Sequence, residues 1–471
     1  MNPDLIEAGI RARMAADGAP PLVVEAFLQN VRRWNAGDLG ELPGDSLAPL
    51  GSFPHLNALD ALDPAGESAI ARTVLIKLNG GLGTSMGLDR AKSLIIAKNG
   101  LSFLDIIVRQ VEFLRRRCRA PLPLLLMDSF STDADSLAAL AREHPGFAND
   151  SGLPLSFCQH RVPKLDLATR APVSWPENPA LAWCPPGHAD IYHALQTTGL
   201  LDALLACGFR HAFVSNADNL GALLHMGILG HVAKNNIPFL MEVTARTECD
   251  RKGGHLARDR KTGRLLLRES AQCPPAETAD FQNIAKYALF NTNNLWLDLE
   301  ALREMLRAAG GLPQFPLIVN RKTVDPVRAD SPAVVQLEAA MGSAISCFEN
   351  AAALVVPRFR FAPVKTTNDL LAIRSDLYTL GEEHQVALHP RRFTPPPDIL
   401  LDPRFYKNIA DFEPRFAHGA PSLLQCDSLR IDGDIHFGAN VRIEGSVHLR
   451  NPTDTPARIA DASRIHTPVG I

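Results

Sequence analysis

The sequence predicts an α/β protein with a mixed, mostly parallel sheet and a smaller β-rich part at the C-terminus. Between residues 72 and 385, short apolar runs alternate with longer amphipathic segments. This alternation is typical of a parallel sheet with helices on both faces. A glycine-rich turn follows the first apolar run directly, at the strand end where such sheets bind ligands. Beyond residue 386, apolar and polar residues alternate between glycine turns, which indicates short strands.

The composition is that of an ordinary globular protein. The chain has 471 residues, of which 46% are hydrophobic and 21% charged, and its formal net charge is −3. This length is enough for two or three domains, and this charge indicates neither a nucleic-acid partner nor a polybasic membrane anchor. No apolar run approaches the ~20 residues of a membrane-spanning helix. Because the N-terminus also lacks the pattern of a secretory signal, we expect a cytoplasmic protein.

The eight cysteines are irregularly spaced and include no Cys-x-x-Cys pair. A zinc site or a thioredoxin-like motif is therefore not expected, and reduced thiols fit a cytosolic location.

Residues 1–71 are expected to form a helical segment that packs on the core without supplying chemistry. Apolar residues recur at helical spacing in Leu5–Ile10 and in Val23–Val31. Three prolines between residues 43 and 54 then interrupt the helical pattern before the first strand of the core.

The α/β core is expected to span residues 72–385. Its predicted strands are Thr73–Leu78, Leu122–Met127, Leu153–Gln159, His211–Ser215, Pro238–Val243, Leu265–Arg268 and Ala288–Asn291. Two amphipathic helices are predicted over Leu101–Arg117 and Ile191–Ala206. Because the glycine-rich turn and the Asn216–Asp218 turn both follow strand ends, we expect them to line one crevice.

Residues 386–471 are expected to form a linker and a separate β domain. The linker is rich in proline, and the alternation between Leu429 and Leu449 predicts short strands of a β-solenoid. The open ends of such a coil need covering, so we expect it to contact the core or another subunit.

The glycine-rich turn is suited to binding phosphate groups. Four glycines lie between residues 80 and 87, and Lys92 follows. Glycine permits positive φ and close approach, so several backbone N–H groups can converge on one anion. The turn lacks the Walker A pattern, and the third glycine of a dinucleotide fingerprint would fall on Met86. On the glycines alone, a steric turn without a ligand remains an alternative.

The longer motifs resemble those of the eukaryotic-type UDP-glucose pyrophosphorylase family. The matching strings, in chain order, are Leu78–Gly87 with Lys92, Phe157–Arg161, Pro185–Asp190, Asn216–Gly221, Lys252–His255, Phe290–Trp296 and Pro363–Thr367. The resemblance covers about residues 72 to 378. It implies a glycosyltransferase-A-like, Rossmann-like nucleotidyltransferase core and a C-terminal left-handed β-helix used in homo-oligomer contacts or regulation.

The resemblance implies transfer of UMP from UTP to glucose-1-phosphate, with release of pyrophosphate and Mg²⁺ as cofactor. The expected partners are these two small molecules, with no nucleic acid and no membrane. The residues it assigns to the nucleotide are Leu78, Asn79, Gly80, Gly81, Lys92, Gln159, Gly187, Asn216 and Lys365. The amide at Gln159 suits uracil, whose imide edge requires a donor and an acceptor.

Three charged residues are expected to act on the phosphates. By resemblance, Lys92 holds the triphosphate and the departing pyrophosphate, and Lys365 contacts the α-phosphate, so both are expected to be catalytic. Asp218 is the expected Mg²⁺ ligand, since this ion prefers oxygen and often takes only one or two carboxylates. The ordinary alternatives are solvated lysines and an aspartate that caps a turn.

The sugar phosphate is expected to bind a second polar set. The assigned residues are His188, Asn216, Asp218, Glu269, Asn291 and Asn293. Glu269 and the two asparagines 291 and 293 are expected to follow the ends of apolar strands, and their amide and carboxylate groups suit hexose hydroxyls.

Other functions remain open on the sequence. A broad-specificity UDP-sugar or a UDP-N-acetylhexosamine pyrophosphorylase is the main alternative, although those relatives usually carry another sequence at Thr84–Gly87. An inactive nucleotide-binding scaffold is a second, and the misplaced glycine argues against a dehydrogenase. Ala189 and Ala217 differ from the commoner residues of the family, but neither removes a group that the reaction needs.

Overall fold

The computed structural model describes residues 3–150, 152–467 and 469–470. The α-helices are α1 (Pro3–Ala16), α2 (Pro21–Asn35), α3 (Asp63–Ala69), α4 (Phe103–Cys118), α5 (Asp133–Glu143), α6 (Asp190–Thr197), α7 (Leu200–Ala206), α8 (Met226–Asn235), α9 (Thr278–Phe281), α10 (Leu299–Ala308), α11 (Thr367–Arg374), α12 (Pro403–Tyr406) and α13 (Ile409–Arg415).

The strands pair into one central sheet and several smaller ones. They are β1 (Leu47–Ala48), β2 (Thr73–Leu78), β3 (Ile96–Lys98), β4 (Leu101–Ser102), β5 (Leu124–Asp128), β6 (Ser156–Cys158), β7 (Val162–Pro163), β8 (Leu165–Asp166), β9 (Trp183–Cys184), β10 (His211–Asn216), β11 (Phe239–Ala245), β12 (His255–Asp259), β13 (Leu265–Arg268), β14 (Leu289–Asp298), β15 (Ile318–Thr323), β16 (Ala333–Glu338), β17 (Ala352–Val355), β18 (Tyr378–Leu380), β19 (Val386–Leu388), β20 (Asp398–Leu401), β21 (Ser422–Asp432), β22 (Ile435–Phe437), β23 (Arg442–Arg450), β24 (Ala457–Ile459), β25 (Arg464–Ile465) and β26 (Val469–Gly470).

The central sheet is mixed, and most of its strands run in one direction, as the sequence predicts. Strands β6, β5, β2 and β10 are parallel neighbours. The long strand β14 runs antiparallel to β10, β11 and β12. β17 adds to β11 in parallel, and β1 and β13 add to β12 antiparallel.

Both faces of this sheet are buried. On β2, Leu75 packs on the same side as the apolar residues of α4 and α8, whereas Val74 and Ile76 pack on the side of α6, α7 and α10. Because successive strand residues point to opposite faces, a strand covered on both sides is mostly apolar along its whole length. This explains the continuous apolar runs that predict the strands.

Three elements differ most from the sequence prediction. The predicted helix Ile191–Ala206 is broken into α6 and α7 at Gly199, which has φ of 71°. The predicted strand Leu153–Gln159 is shortened to β6. The predicted strand Ala288–Asn291 continues as β14 to Asp298, so the polar residues of that motif lie inside a strand.

The N-terminal region contains two helices that pack on the rest of the molecule. Helices α1 and α2 share an apolar cluster with residues of β7, β8, β15 and β16. No helix in the described part of the chain has the length and apolar character to cross a membrane. Where cysteine side chains are described they are free thiols, and the Cys249 side chain lies outside the described part.

The C-terminal region stacks its strands in parallel. β21 pairs with β20 on one side and β23 on the other, and β23 pairs with β25 and β26. Apolar residues align across the stack, as in Leu429 with Val447 and Ile431 with Leu449, and these side chains are buried. The alternation in the sequence therefore corresponds to an inner apolar row and an outer polar row.

Candidate active site

The site lies at the carboxyl ends of two parallel central strands. Leu78, the last residue of β2, pairs in register with Asn216, the last residue of β10. The Ala217 backbone N–H then donates to the Leu78 carbonyl at 3.0 Å. The glycine-rich turn and the Asn216–Asp218 turn therefore leave the sheet side by side, as the sequence predicts.

The glycine-rich turn folds back on itself and brings Lys92 over the strand ends. The Lys92 backbone N–H donates to the Gly81 carbonyl at 3.2 Å, and no described atom lies within 4 Å of a β-carbon built at Gly81. A β-carbon at Gly80 would lie 2.5 Å from Nε2 of Gln159. The turn thus places the Gln159 amide against its backbone and leaves open space above Gly81.

Lys92 and Asp218 form an ion pair that joins the two turns. Lys92 Nζ lies 2.6 Å from Asp218 Oδ2, and the two side chains are 14% and 18% exposed. Asp218 Oδ1 is buried, and among the described residues no hydrogen-bond partner reaches it. One oxygen of this carboxylate is therefore paired with a positive charge, and the other is buried without a partner among the described residues.

The segment that carries Lys365 is bonded directly to the Asp218 turn. The Val364 backbone N–H donates to the Asp218 carbonyl at 3.1 Å, and Asn219 forms a β-bridge with Pro363. The Lys365 side chain is exposed, with Nζ 6.0 Å from the centroid of the Phe361 ring. Its backbone N–H donates to the Asp369 carboxylate at 2.9 Å, at the start of α11.

The Gly187 turn requires glycine. Its φ is +86°, and a β-carbon there would overlap the Ala339 carbonyl oxygen. Ala339 is held in place by two backbone bonds of 3.0 Å, one donated to Pro186 and one accepted from Ala189. Only a residue without a side chain lets the backbone pass this close, so the turn has a fixed shape.

His188 is a neutral imidazole in this environment. Its Nδ1 accepts a hydrogen bond of 2.9 Å from the Met341 backbone N–H, so the ring proton is on Nε2. Burial lowers the pKa of His188 to about 4. At neutral pH this residue can donate a hydrogen bond to a ligand oxygen, but it does not supply positive charge.

Glu269, Asn291 and Asn293 form a second polar group beside Lys365. Burial raises the pKa of Glu269, and the positive charge of Lys365 opposes that rise. Asn291 Nδ2 donates to Asn293 Oδ1 at 2.8 Å, and the Asn293 backbone N–H donates to Asn291 Oδ1 at 2.9 Å. Asn293 has φ of 59°, in the left-handed region that asparagine tolerates.

The expected placement of the two asparagines after a strand was wrong. Both lie within β14, where the register against β11 shifts between Met241 and Val243. A bulge re-aims side chains without ending the strand. The apolar run breaks at Asn291, which predicts a strand end there, but apolar residues resume at Leu295. The prediction did not include this second apolar part of the strand.

Several buried polar residues behind the site were missed. Asp128, at the end of β5, accepts hydrogen bonds from Asn79 at 2.7 Å, Ser136 at 3.0 Å and Thr132 at 3.0 Å. Burial raises the pKa of Asp128 to about 6, against the effect of these hydrogen bonds. The sequence does contain a sign of this network, because Asp128 ends an otherwise apolar strand. A charged residue in such a place is rarely buried without hydrogen-bond partners.

Lys77 and Glu242 give the same signal within β2 and β11. Lys77 Nζ donates to Ser215 Oγ at 2.7 Å and to the Ala222 carbonyl at 3.1 Å. Burial lowers the pKa of Lys77 to about 7, and the nearby Arg360 charge contributes to that lowering. Glu242 is fully buried and is paired with Arg360.

The donor set fits a hard cation held by few protein ligands. The described residues contain no group of three or more His, Cys, Asp or Glu side chains arranged to hold a metal ion. The buried, unpartnered Oδ1 of Asp218 is a single carboxylate ligand of the kind that Mg²⁺ uses together with phosphates and water.

A turn suited to phosphates, beside a carboxylate suited to Mg²⁺ on the same sheet edge, is what nucleotidyl transfer requires, and the protein is a nucleotidyltransferase. A family model described as UTP–glucose-1-phosphate uridylyltransferase matches residues 41–444, and the chain belongs to that family. The resemblance found in the motifs is thereby confirmed.

Individual relatives agree with this assignment. The chain is 40% identical to a UTP–glucose-1-phosphate uridylyltransferase of Solanum tuberosum, over 90% of this chain and 84% of the relative. It is 40% identical to one of Saccharomyces cerevisiae, over 82% and 75%. A UDP-glucose pyrophosphorylase variant of Leishmania major, solved in complex with UDP-glucose, superimposes with a TM-score of 0.91 at 40% identity over 99% of both chains.

Proposed function

We propose that this protein transfers UMP from UTP to glucose-1-phosphate, giving UDP-glucose and pyrophosphate. The observation that carries the proposal is the junction of three motifs. The ion pair between Lys92 and Asp218 joins the glycine-rich turn to the Asn216–Asp218 turn, and the segment that carries Lys365 is bonded to the latter. The family membership of the chain supports the same reaction.

Uracil is proposed to bind between Gln159 and the Gly187 turn. The Gln159 amide supplies both a donor and an acceptor for the imide edge. Gly187 lets the backbone approach the base closely, while Leu78 and Asn79 provide the strand end beneath it. Gly80 and Gly81 direct backbone N–H groups toward the phosphates, which would occupy the open space beside Gly81.

Lys92 and Lys365 are proposed to act on the two ends of the triphosphate. A phosphate oxygen of glucose-1-phosphate attacks the α-phosphorus of UTP, and the bond from that phosphorus to the bridging oxygen of the β-phosphate breaks. Lys365 stabilises the charge that builds on the α-phosphate, and Lys92 leaves Asp218 to bind the departing pyrophosphate. Catalysis of this kind depends mainly on positioning and electrostatics.

Asp218 is proposed to hold Mg²⁺ through its free carboxylate oxygen. When bound, the ion would neutralise phosphate charge, which is its usual role in such reactions. When Lys92 moves to the phosphates, the second oxygen of Asp218 also becomes available.

The hexose of the sugar phosphate is proposed to bind Glu269, Asn291 and Asn293. Its phosphate is proposed to lie nearer Asn216, Asp218 and the Nε2–H of His188. The mutual hydrogen bonds of the two asparagines fix their amide orientation in advance. Such a preorganised pair loses little side-chain freedom when a hexose hydroxyl binds.

Three further expectations remain proposals. The parallel C-terminal strands are proposed to form a left-handed β-helix that serves oligomer contacts or regulation. The division at residues 71 and 385 into helical, catalytic and β regions is proposed on the sequence pattern. A cytoplasmic location is proposed on the composition.

The test is pyrophosphate release from UTP with Mg²⁺, using glucose-1-phosphate, galactose-1-phosphate and N-acetylglucosamine-1-phosphate in parallel. Release with glucose-1-phosphate well above the others is the expected result. Similar release with several sugars would replace the proposal with a broad-specificity pyrophosphorylase. Detectable UTP binding without release from any sugar would indicate an inactive scaffold.

A further inference from the structure

A buried ion pair lies beneath the junction of the catalytic segments. Arg360 donates from Nε to Glu242 Oε2 and from Nη2 to Glu242 Oε1, each at 2.7 Å. The side chains are 2% and 0% exposed. Trp296 Nε1 donates to the same carboxylate at 2.9 Å, so β11, β14 and the segment before Lys365 meet at this point.

Asn219 connects this pair to the catalytic turn. Its Nδ2 donates to the Arg360 carbonyl at 3.1 Å, and its Oδ1 accepts from the Ala362 backbone N–H at 3.0 Å. The same Oδ1 accepts from the Gly221 backbone N–H at 3.2 Å. One buried carboxamide therefore holds the chain just after Asp218 against the chain just before Lys365.

Asn294 extends the connection to the sugar side. Its Oδ1 accepts from Asn219 Nδ2 at 3.3 Å, and its Nδ2 donates to Glu242 Oε2 at 3.1 Å. Asn294 directly follows Asn293 of the β14 bulge. The orientation of Asn219 is thus fixed from both sides, because exchanging its oxygen and nitrogen would break bonds to the Arg360 segment and to Asn294.

We propose that Asn219 is a positioning residue that sets the distance between Asp218 and Lys365, with the Glu242–Arg360 pair as its fixed support. This inference rests on the proposed uridylyl transfer. A buried ion pair is weak evidence for stability, because the cost of desolvating the charges can exceed their attraction. Here the pair orients the Arg360 carbonyl, which accepts a hydrogen bond from Asn219. Through its hydrogen bonds, Asn219 in turn fixes the backbone that carries Asp218 and Lys365.

The experiment compares Asn219→Asp with Asn149→Asp. Asn149 is also buried and also bridges backbone groups, donating to the Leu124 and Pro154 carbonyls at 2.9 Å and accepting from the Leu124 N–H at 3.0 Å. Asn149 lies in the loop after α5 and bonds Leu124, the first residue of β5, so it is at the other end of the sheet from the site. Both substitutions keep the side-chain size and replace a donor with an oxygen that repels the facing carbonyl.

For Asn219→Asp we expect turnover at saturating substrates to fall ~10²-fold, as for a small misplacement of reacting groups. Equilibrium UTP binding should stay within about threefold of the unchanged protein, because the expected uracil contacts at Gln159 and Gly187 lie on other segments. Asn149 Oδ1 also accepts from Arg115 Nη2 at 2.9 Å, so Asn149→Asp should keep its fold and its turnover. Asn219→Ala, which adds no charge, is the second variant in case the first does not fold.

The outcomes separate the two claims. Normal turnover in a folded Asn219 variant would overturn the positioning role while leaving the proposed function intact. Loss of fold in both Asn219 variants, with Asn149→Asp folded, would show a structural role and also overturn it. Absence of pyrophosphate release from the unchanged protein would overturn the proposed function and this inference with it.

Discussion

Two lysines act from different surroundings in the proposed site. Lys92 is mostly buried and already paired with Asp218, whereas Lys365 is exposed and stands at the start of α11. An exposed lysine is normally solvated, and its long side chain can move to follow a substrate. The two residues should therefore differ in which step their loss affects.

Lys365→Ala is expected to lower turnover ~10²-fold while UTP binding stays nearly unchanged, because its contact strengthens as charge builds on the α-phosphate. The measurement is pyrophosphate release at saturating UTP together with equilibrium UTP binding. Lys261→Ala, at an exposed position in the turn between β12 and β13, is the control and should retain full activity. Unchanged turnover in Lys365→Ala would exclude the catalytic role.

Asp128 should make stability depend on pH. Its pKa is raised from 3.8 to about 6, so the folded protein binds this proton more tightly than the unfolded chain does. Stability therefore falls as pH rises from about 4 to about 6 and stays lowered above that range. At full effect, ionisation of Asp128 lowers the free energy of unfolding by roughly 3 kcal/mol.

Urea unfolding across this pH range should show a drop in the free energy of unfolding that Asp128→Asn lacks. Other groups titrate in both proteins, so the difference in slope isolates Asp128. The same substitution at Asp202, which is exposed, should leave the slope as it is in the unchanged protein. Equal slopes in Asp128→Asn and the unchanged protein would contradict the assignment.

The motifs in the sequence predict candidate site residues, but they did not reveal the buried residues that support those segments. Lys92, Asp218 and Lys365 stand in strings typical of the family, and the structure brings their segments together. Arg360 and Asn219 depend on partners more than a hundred residues away, as in the bond of Arg360 to Glu242. Such pairs form only once the sheet brings distant segments together.

At the scale of elements, two strands of the central sheet were predicted with the bounds that the structure has. Strands β2 and β13 have the predicted bounds, because both are mainly apolar runs that end at a polar turn. The boundary at Asn291 was wrong because a bulge places polar residues inside β14. The break between α6 and α7 was missed because the apolar spacing continues across Gly199.

A substitution at Gly187 tests whether the backbone conformation of this turn is needed for UTP binding. Gly187→Ala should weaken UTP binding about tenfold or more, because the β-carbon overlaps the Ala339 carbonyl and displaces the turn. Gly208 has the same φ of +86°, but a β-carbon there meets no described atom within 4 Å. Gly208→Ala is therefore the control, because it introduces the same backbone strain without a steric overlap of the new β-carbon.

Calorimetric titration with UTP distinguishes the two variants. Gly208→Ala should be destabilised by about 1 kcal/mol and bind UTP normally. Tight UTP binding by Gly187→Ala would show that the turn does not approach the nucleotide.

At the scale of the whole molecule, the C-terminal stack shares its core with the catalytic region. One apolar cluster runs from Leu75 and Phe103 through Leu370 to Phe412 and Leu449. Arg374 is paired with Glu413 at 2.8 Å, and Asp376 accepts from Ser422 Oγ at 2.6 Å. A β-carbon at Gly87 would lie 2.8 Å from Asn408 Oδ1, so the segment leading into the stack also touches the glycine-rich turn.

This shared core predicts that the two regions unfold together, although the proline-rich linker suggests separate domains. Separate units keep their own cores and lose few contacts when one of them opens. Here an open C-terminal stack would leave apolar side chains of α11 in water, and that exposed area makes independent opening unfavourable. The transition should therefore be single and cooperative.

Two buried cysteines report on the two regions. Cys426 lies in the C-terminal stack and Cys184 in the catalytic region, and both are buried free thiols. Pulsed thiol labelling along a urea gradient, read by peptide mass, should give the same midpoint for both. Fluorescence of the four tryptophans, which all precede residue 386, should follow that midpoint. Labelling of Cys426 at clearly lower urea would show that the stack opens alone, and the shared apolar cluster would then not couple the regions.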